Sequence, residues 1–214
     1  MPGAMLRDMT GTSTAADYAW LKERYRFLME AYCVTLVRDI APEGLLGELG
    51  AEGHGRVVGV DGLSGPAYEL SGPSRMFVGA AAVDDWTLMV EFNGCLGVTD
   101  QAMLPLSRGR RIVSHFLNVN AVDRSCWYQD GDLRLDFQPL FADERYGSRP
   151  DELLTEMRES GFDLSERDED GDHDAYYATL TGACFALAHR LTGIRLTPEL
   201  FATAAFLCGT VPRG

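Results

Sequence analysis

The chain has 214 residues, 46% hydrophobic and 24% charged, which is enough for one large domain with a sizeable core. Its net charge of −13 argues against general binding to nucleic acid or to anionic membranes, and it admits a basic partner. Five scattered cysteines without a CxxC pair, and no apolar run of signal-peptide or membrane-span length, predict reduced thiols in a cytoplasmic protein.

Residues 1–13 read as a disordered lead ahead of a single α+β domain over residues 14–214. Thr14-x-x-Asp17 resembles a capping box, and Tyr18, Leu21, Tyr25, Leu28 and Tyr32 recur at helical spacing. A first helix over residues 15–29 follows, with Lys22, Glu23, Arg24 and Arg26 on its outer face. Lys22 is the only lysine, so nearly all positive charge is arginine. The β-branched run Cys33-Val34-Thr35-Leu36-Val37 predicts a buried strand, and Pro42 opens a short helix with Gly50 behind it. Residues 51–82 are rich in Gly, Ser and Pro and read as short strands over 56–60 and 76–81 around a mobile loop. Gly53-x-Gly55 has no helix pattern behind it, so a dinucleotide site is rejected and no cofactor is expected.

Residues 86–92 alternate Trp86, Leu88, Val90 and Phe92 against Thr87, Met89 and Glu91, and Asn93-Gly94 reads as a hairpin-type turn. A proline-containing loop leads to a strand over 111–119 and a hairpin over 124–137. The hairpin turns at Gln129-Asp130-Gly131-Asp132, where both central residues need positive φ. In that register Tyr128 faces Leu133, Cys126 faces Leu135 and Trp127 faces Arg134. The alternation of Leu133, Leu135 and Phe137 with Asp132, Arg134 and Asp136 then puts Trp127 on the polar, accessible face. Pro150 begins a helix closed by Gly161, an acidic stretch covers 163–174, and an apolar helix spans 176–191. Thr197-Pro198-Glu199 caps a last helix running to Leu207. Together these pieces predict an antiparallel β-meander sheet of about five or more strands over roughly 32–140. Helices from both ends of the chain, the C-terminal ones over roughly 150–209, would cover one of its faces.

The segments YCVTLVRDIAPEGLLGELGA, DDWTLMVEFNGCLGV, NVNAVDRSCWYQDGDLRLDFQPLFADERYGSRPDELLTEMRESGF and LTGIRLTPELF, in this order, resemble the actinobacterial DUF6461 family of uncharacterised proteins. The resemblance runs from Tyr32 to Pro212. It implies an intracellular bacterial protein, in keeping with the arginine bias, and it carries no activity, ligand or catalytic residue.

Several clusters bear on chemistry. Asn118, Asn120, Asp123 and Arg124 read either as a turn held by amide caps with an Asp123–Arg124 pair, or as a polar pocket beside Trp127. His115 shares a strand face with Val113 and Leu117, as a satisfied core histidine would. To act as a base it would need Glu91 or Asp123 to orient it. No GxSxG elbow is present, and Ser125 and Cys126 are weak nucleophile candidates. Arg108, Arg110 and Arg111 form a basic turn suited to a phosphate or acidic segment, or to the protein's own carboxylates. Asp168-x-Asp170-Gly171-Asp172 departs from a calcium loop because its glycine comes at the fourth position, and no histidine spacing suggests zinc.

The preferred reading is non-catalytic recognition of another protein through a face centred on Trp127, Arg134 and Arg108–Arg111, with an immunity- or antitoxin-like factor as the example its charge suggests. The alternative is an enzyme acting on a small molecule in a pocket of Glu91, His115, Asn118, Asn120, Asp123 and Arg124. Homo-oligomerisation through an apolar C-terminal helix is a third reading. An exposed Trp127–Arg134 patch would favour recognition, and convergence of the polar groups in a concave pocket would favour the alternative.

Overall fold

The computed structural model describes residues 12–166 and 174–213. Among them, nine strands are β1 (Tyr32–Arg38), β2 (Glu52–Val58), β3 (Arg75–Val83), β4 (Trp86–Phe92), β5 (Arg111–Leu117), β6 (Asp123–Gln129), β7 (Asp132–Phe137), β8 (Arg145–Tyr146) and β9 (Ala205–Pro212). They form one antiparallel sheet in the order β2-β9-β3-β4-β1-β5-β6-β7-β8, so the α+β class with a large antiparallel sheet holds. The helices are α1 (Trp20–Arg24), α2 (Arg26–Glu30), α3 (Pro42–Glu48), α4 (Asp61–Leu70), α5 (Asp100–Leu106), α6 (Leu154–Ser160), α7 (Asp174–Thr192) and α8 (Pro198–Thr203).

Strands β5 to β8 follow one another as a meander, and the β6–β7 turn has Asp130 at φ 56° and Gly131 at φ 79°, as its Asp-Gly composition demands. The rest of the sheet is not sequential. β1 lies between β4 and β5, and β9, the last strand in the chain, lies between β2 and β3. Residues 205–212 were expected partly as helix. Their alternation places Phe206 and Cys208 in one core and Leu207 and Val211 in the other, and a short apolar run buried on both faces carries no period that separates strand from helix.

Both faces of the sheet are covered, not one. Tyr32, Val34, Leu36, Leu88 and Val90 pack with residues of α1, α2, α4, α7 and α8, whereas Cys33, Val37, Met89, Ile112 and Tyr128 pack with α3 and α5. The sheet is therefore the middle of three layers, and its central strands are buried along nearly their whole length.

Local expectations shift accordingly. The first helix breaks at Tyr25, where φ is −120° and ψ 42°. The mobile loop expected in residues 51–82 holds α4 despite Gly62, Gly65 and Pro66. Leu63 of α4 drives against β3 at Gly79, where a Cβ would come within 2.4 Å of Leu63 Cδ2, so tertiary packing overrides poor helix propensity. Likewise the proline-containing loop after β4 holds α5. Asn93-Gly94 is not a hairpin turn, because β4 pairs with β3 and β1; the β3–β4 hairpin turns at Asp84, with φ 51°.

Gly182 in α7 lies so close to the N-terminal turn that an added Cβ would sit 2.3 Å from the carbonyl oxygen of Ala15. Helix propensity alone would make Gly182→Ala stabilising by about 1 kcal/mol. The clash is expected to reverse that sign and destabilise by about 1–3 kcal/mol. Urea denaturation decides it, and a raised midpoint would show the contact to be soft.

Candidate functional site

Three side chains meet where β1, β5 and β6 run side by side. The β5–β6 register sets His115 opposite Ser125 and Leu117 opposite Asp123, so His115 and Asp123 are diagonal neighbours on one face. His115 Nε2 lies 2.5 Å from Asp123 Oδ1, and the Tyr32 hydroxyl lies 2.8 Å from His115 Nδ1. Tyr32 is 0% exposed, His115 4% and Asp123 6%. Burial works against the imidazolium, but the Cys184 sulfur and the Asp123 carboxylate beside it more than offset this, and the His115 pKa is pushed up to about 10. Burial also raises the Cys184 pKa and holds it as a thiol, so the carboxylate is the partner that decides. The result is a buried ion pair with a tyrosine at its far end.

This arrangement limits the chemistry available. Both ring nitrogens of His115 are engaged, which leaves no lone pair for a substrate proton. Ser125 donates to Cys184 Sγ at 3.4 Å, and burial raises the Cys126 thiol well above its ordinary range. None of these groups is an activated nucleophile.

At the Asp123 end a cleft of about 380 Å³ opens between α1, α2, α7 and the β5–β6 connection, and its walls include Lys22, Glu30, Asn118, Asp123, Tyr177 and Thr181. Lys22 Nζ donates to the Ala178 carbonyl at 2.8 Å. Burial lowers its pKa, with the Asp123 charge acting the other way. Asn118 Oδ1 accepts from the Asn120 and Val122 N–H groups and closes a turn that has Ala121 at φ 57°. Asp123 commits Oδ1 to His115, and its Oδ2 makes no hydrogen bond among the described residues.

The expected six-residue pocket is split by the sheet. His115 bonds to Asp123, and Asn118 shares the cleft wall with Asp123, whereas Glu91 and Arg124 belong to the opposite face. Glu91 is fully buried beneath residues 94–97, where its carboxylate accepts the Leu96 and Gly97 N–H groups at 3.0 Å each. Burial outweighs those bonds and pushes its pKa up to about 7. Arg124 binds Asp136 with two 2.8 Å hydrogen bonds and the Val98 carbonyl at 2.5 Å, so the Asp123–Arg124 pair does not form. Asn120 stands exposed in the turn.

The expected recognition face is also absent at Trp127, which is 5% exposed. A β-bulge is the reason. Tyr128 pairs with Leu133 as expected, but Trp127 then pairs with Leu135, leaving Arg134 as the extra residue. Trp127 thereby joins Leu135 and Phe137 under Leu187 and Leu191 of α7, with the Arg111 guanidinium 5.7 Å from its ring centroid. Arg134 is mostly covered and pairs with Asp132 at 3.2 Å. Arg110 grips both Glu48 oxygens, at 2.7 and 2.8 Å, and Arg111 binds Gln129 and the Leu191 carbonyl, so the arginines do not form one patch with the exposed Arg108. The apolar side of α7 is buried inside its own chain.

Asp168, Asp170 and Asp172 lie outside the described residues. Among the described residues no group of three or more His, Cys, Asp or Glu side chains is placed to hold a metal, and no helix is long and apolar enough to cross a membrane. Sequence reading missed Tyr32, Lys22, Glu30 and Tyr177, which come from two distant segments, residues 22–32 and α7. The singularity of Lys22 was the one signal available for any of them.

No curated protein and no solved structure matches the chain. A family model described as a family of unknown function, DUF6461, matches residues 11–214. The chain therefore belongs to the DUF6461 family.

Proposed function

We propose that the protein is a non-catalytic binding protein that holds a small polar molecule in the Asp123 cleft. One observation carries the reading. Asp123 is nine-tenths buried and charge-paired, yet it lines an open cleft with one carboxylate oxygen unbonded among the described residues. That oxygen is not an orphaned buried atom but faces the cleft, where a ligand ammonium, amide or hydroxyl would donate to a carboxylate already anchored through Oδ1. Lys22 and Glu30 on the walls add one charge of each sign, which suits a small zwitterion such as an amino acid. The closed His115 ring supports binding over base catalysis.

Thermal-shift measurements against amino acids, small amines and polyols test this. A ligand at one hundred times its Kd stabilises by about 2.7 kcal/mol, expected here as a rise of about 5–10 °C in Tm. Tyr177→Phe, at the rim, is expected to shrink that rise while leaving the unliganded Tm unchanged. Lys22→Gln is expected to shrink it with a small fall in the unliganded Tm from the lost bond to the Ala178 carbonyl. If no compound of these classes shifts Tm, or if the rim variants respond fully, the reading fails.

A further inference from the structure

A second cleft, of about 370 Å³, shares no lining residue with the Asp123 cleft. It is flanked by Phe27 of α2 and Tyr68 of α4, which are 82% and 91% exposed. Its floor includes buried Met76 and Phe77 and half-buried Phe92, and the one charged residue of its lining is Arg213, an exposed side chain with no ion pair among the described residues. Leaving two aromatic rings in water on either side of an apolar floor forgoes burial that either could have had inside the fold. The cleft is near the small end of ligand-sized pockets, too small for the apolar face of a helix and sufficient for one or two side chains.

We infer that the Phe27–Tyr68 cleft docks the C-terminus of a polypeptide partner that ends in a large apolar residue, with its α-carboxylate on Arg213. The chemistry follows from charge complementarity within the cleft. A single guanidinium without an ion pair among the described residues, beside an aromatic slot, selects one negative charge attached directly to one apolar group. A terminal residue carries its carboxylate on the same Cα as its side chain, whereas an internal acidic residue carries the charge on a different side chain from the apolar one. Carboxylate capture of this kind is an established mode of peptide recognition. The rings of Phe27 and Tyr68 would close over the bound side chain and gain the contact they lack in the free protein.

The test is fluorescence polarisation with a labelled hexapeptide ending in leucine-phenylalanine, compared with the same peptide as its C-terminal amide. Wild type is expected to bind the free acid saturably and the amide about tenfold more weakly. Tyr68→Ser, Phe27→Ser and Arg213→Gln replace exposed side chains, so unchanged thermal unfolding will show the fold intact, and each is expected to weaken binding by about fivefold or more. Absence of saturable binding up to about 1 mM, equal binding of acid and amide, or undiminished binding by the variants overturns the inference. Phenylacetate competing as well as the peptide would assign the cleft to a small aromatic acid, and self-association lost in Tyr68→Ser would assign it to a second copy; either result also overturns it. None of these variants replaces a lining residue of the Asp123 cleft, so failure here leaves the small-molecule reading untouched.

Discussion

Asp123→Ala is expected to lower the unfolding free energy by about 3–5 kcal/mol, because it strands the buried His115 beside a void with no counter-charge. The effect is expected to depend on pH, and its sign follows from the two histidine environments. In wild type the His115 pKa is raised to about 10, so its stabilisation is complete below the unfolded value near 6.5 and fades as pH rises toward 10. Without the carboxylate, burial alone remains to depress the imidazole pKa, and the variant must bury a charge or give up a proton at low pH. The gap between wild type and Asp123→Ala is therefore largest near pH 5 and narrows toward pH 9. Urea denaturation at both pH values measures it. A loss under about 1 kcal/mol at pH 5, or a gap that widens with pH, would show that the ion pair is not formed as described.

Glu91 should behave in the opposite structural setting but with a related signature. Its carboxyl is fully buried and its pKa is pushed up to about 7, by burial acting against two backbone N–H bonds. A raised carboxyl pKa contributes stability that is present below the unfolded value of about 4.5 and is lost as pH climbs through 7. Wild type is thus expected to lose about 3 kcal/mol more than Glu91→Gln between pH 5 and pH 9, since glutamine does not titrate. The groups facing Glu91 are the Cys33 thiol, itself raised by burial, and the Arg213 charge, and both are common to wild type and variant. Glu91→Ala removes the acceptor for two buried N–H groups and is expected to cost about 2–5 kcal/mol at pH 5. Parallel pH profiles for wild type and Glu91→Gln would show that the carboxyl titrates in solvent, and the loop over residues 94–97 would then be open.

The buried Tyr32–His115–Asp123 network and the open cleft beside it divide the work between them. The first pins β1, β5 and β6 together inside the core. The second exposes the one edge of that network that a ligand could reach. His115 fixes Asp123 through Oδ1, so a ligand meeting Oδ2 would meet a carboxylate already held in place.

Much of the chain was legible without coordinates. The strand over residues 86–92, the buried run at 33–37, the Asp130-Gly131 hairpin, the Pro42 and Thr197 helix starts and the stop at Gly161 are local statements. Backbone sterics and hydrogen-bond capping decide each of them within a few residues, and the structure bears them out. So was the pairing of His115 with Asp123 as one of two open partners. Tertiary structure alone decided the rest. Nothing local reveals that β9 inserts between β2 and β3 or that helices cover both faces of the sheet, and α7, packed over the face opposite α3 and α5, removes the polar side on which an exposed Trp127 depended. The bulge at Arg134 shifts β7 by one residue, which is enough to bring Leu135 and Phe137 onto the face of Trp127 and to leave Arg134 out of the ladder, because side chains in a strand change face at every step. The cleft residues were out of reach for the same reason. Lys22, Glu30, Asn118, Asp123 and Tyr177 come from distant segments, and they meet because the sheet order brings β5 and β6 beneath α1, α2 and α7, a long-range outcome that composition and spacing do not encode.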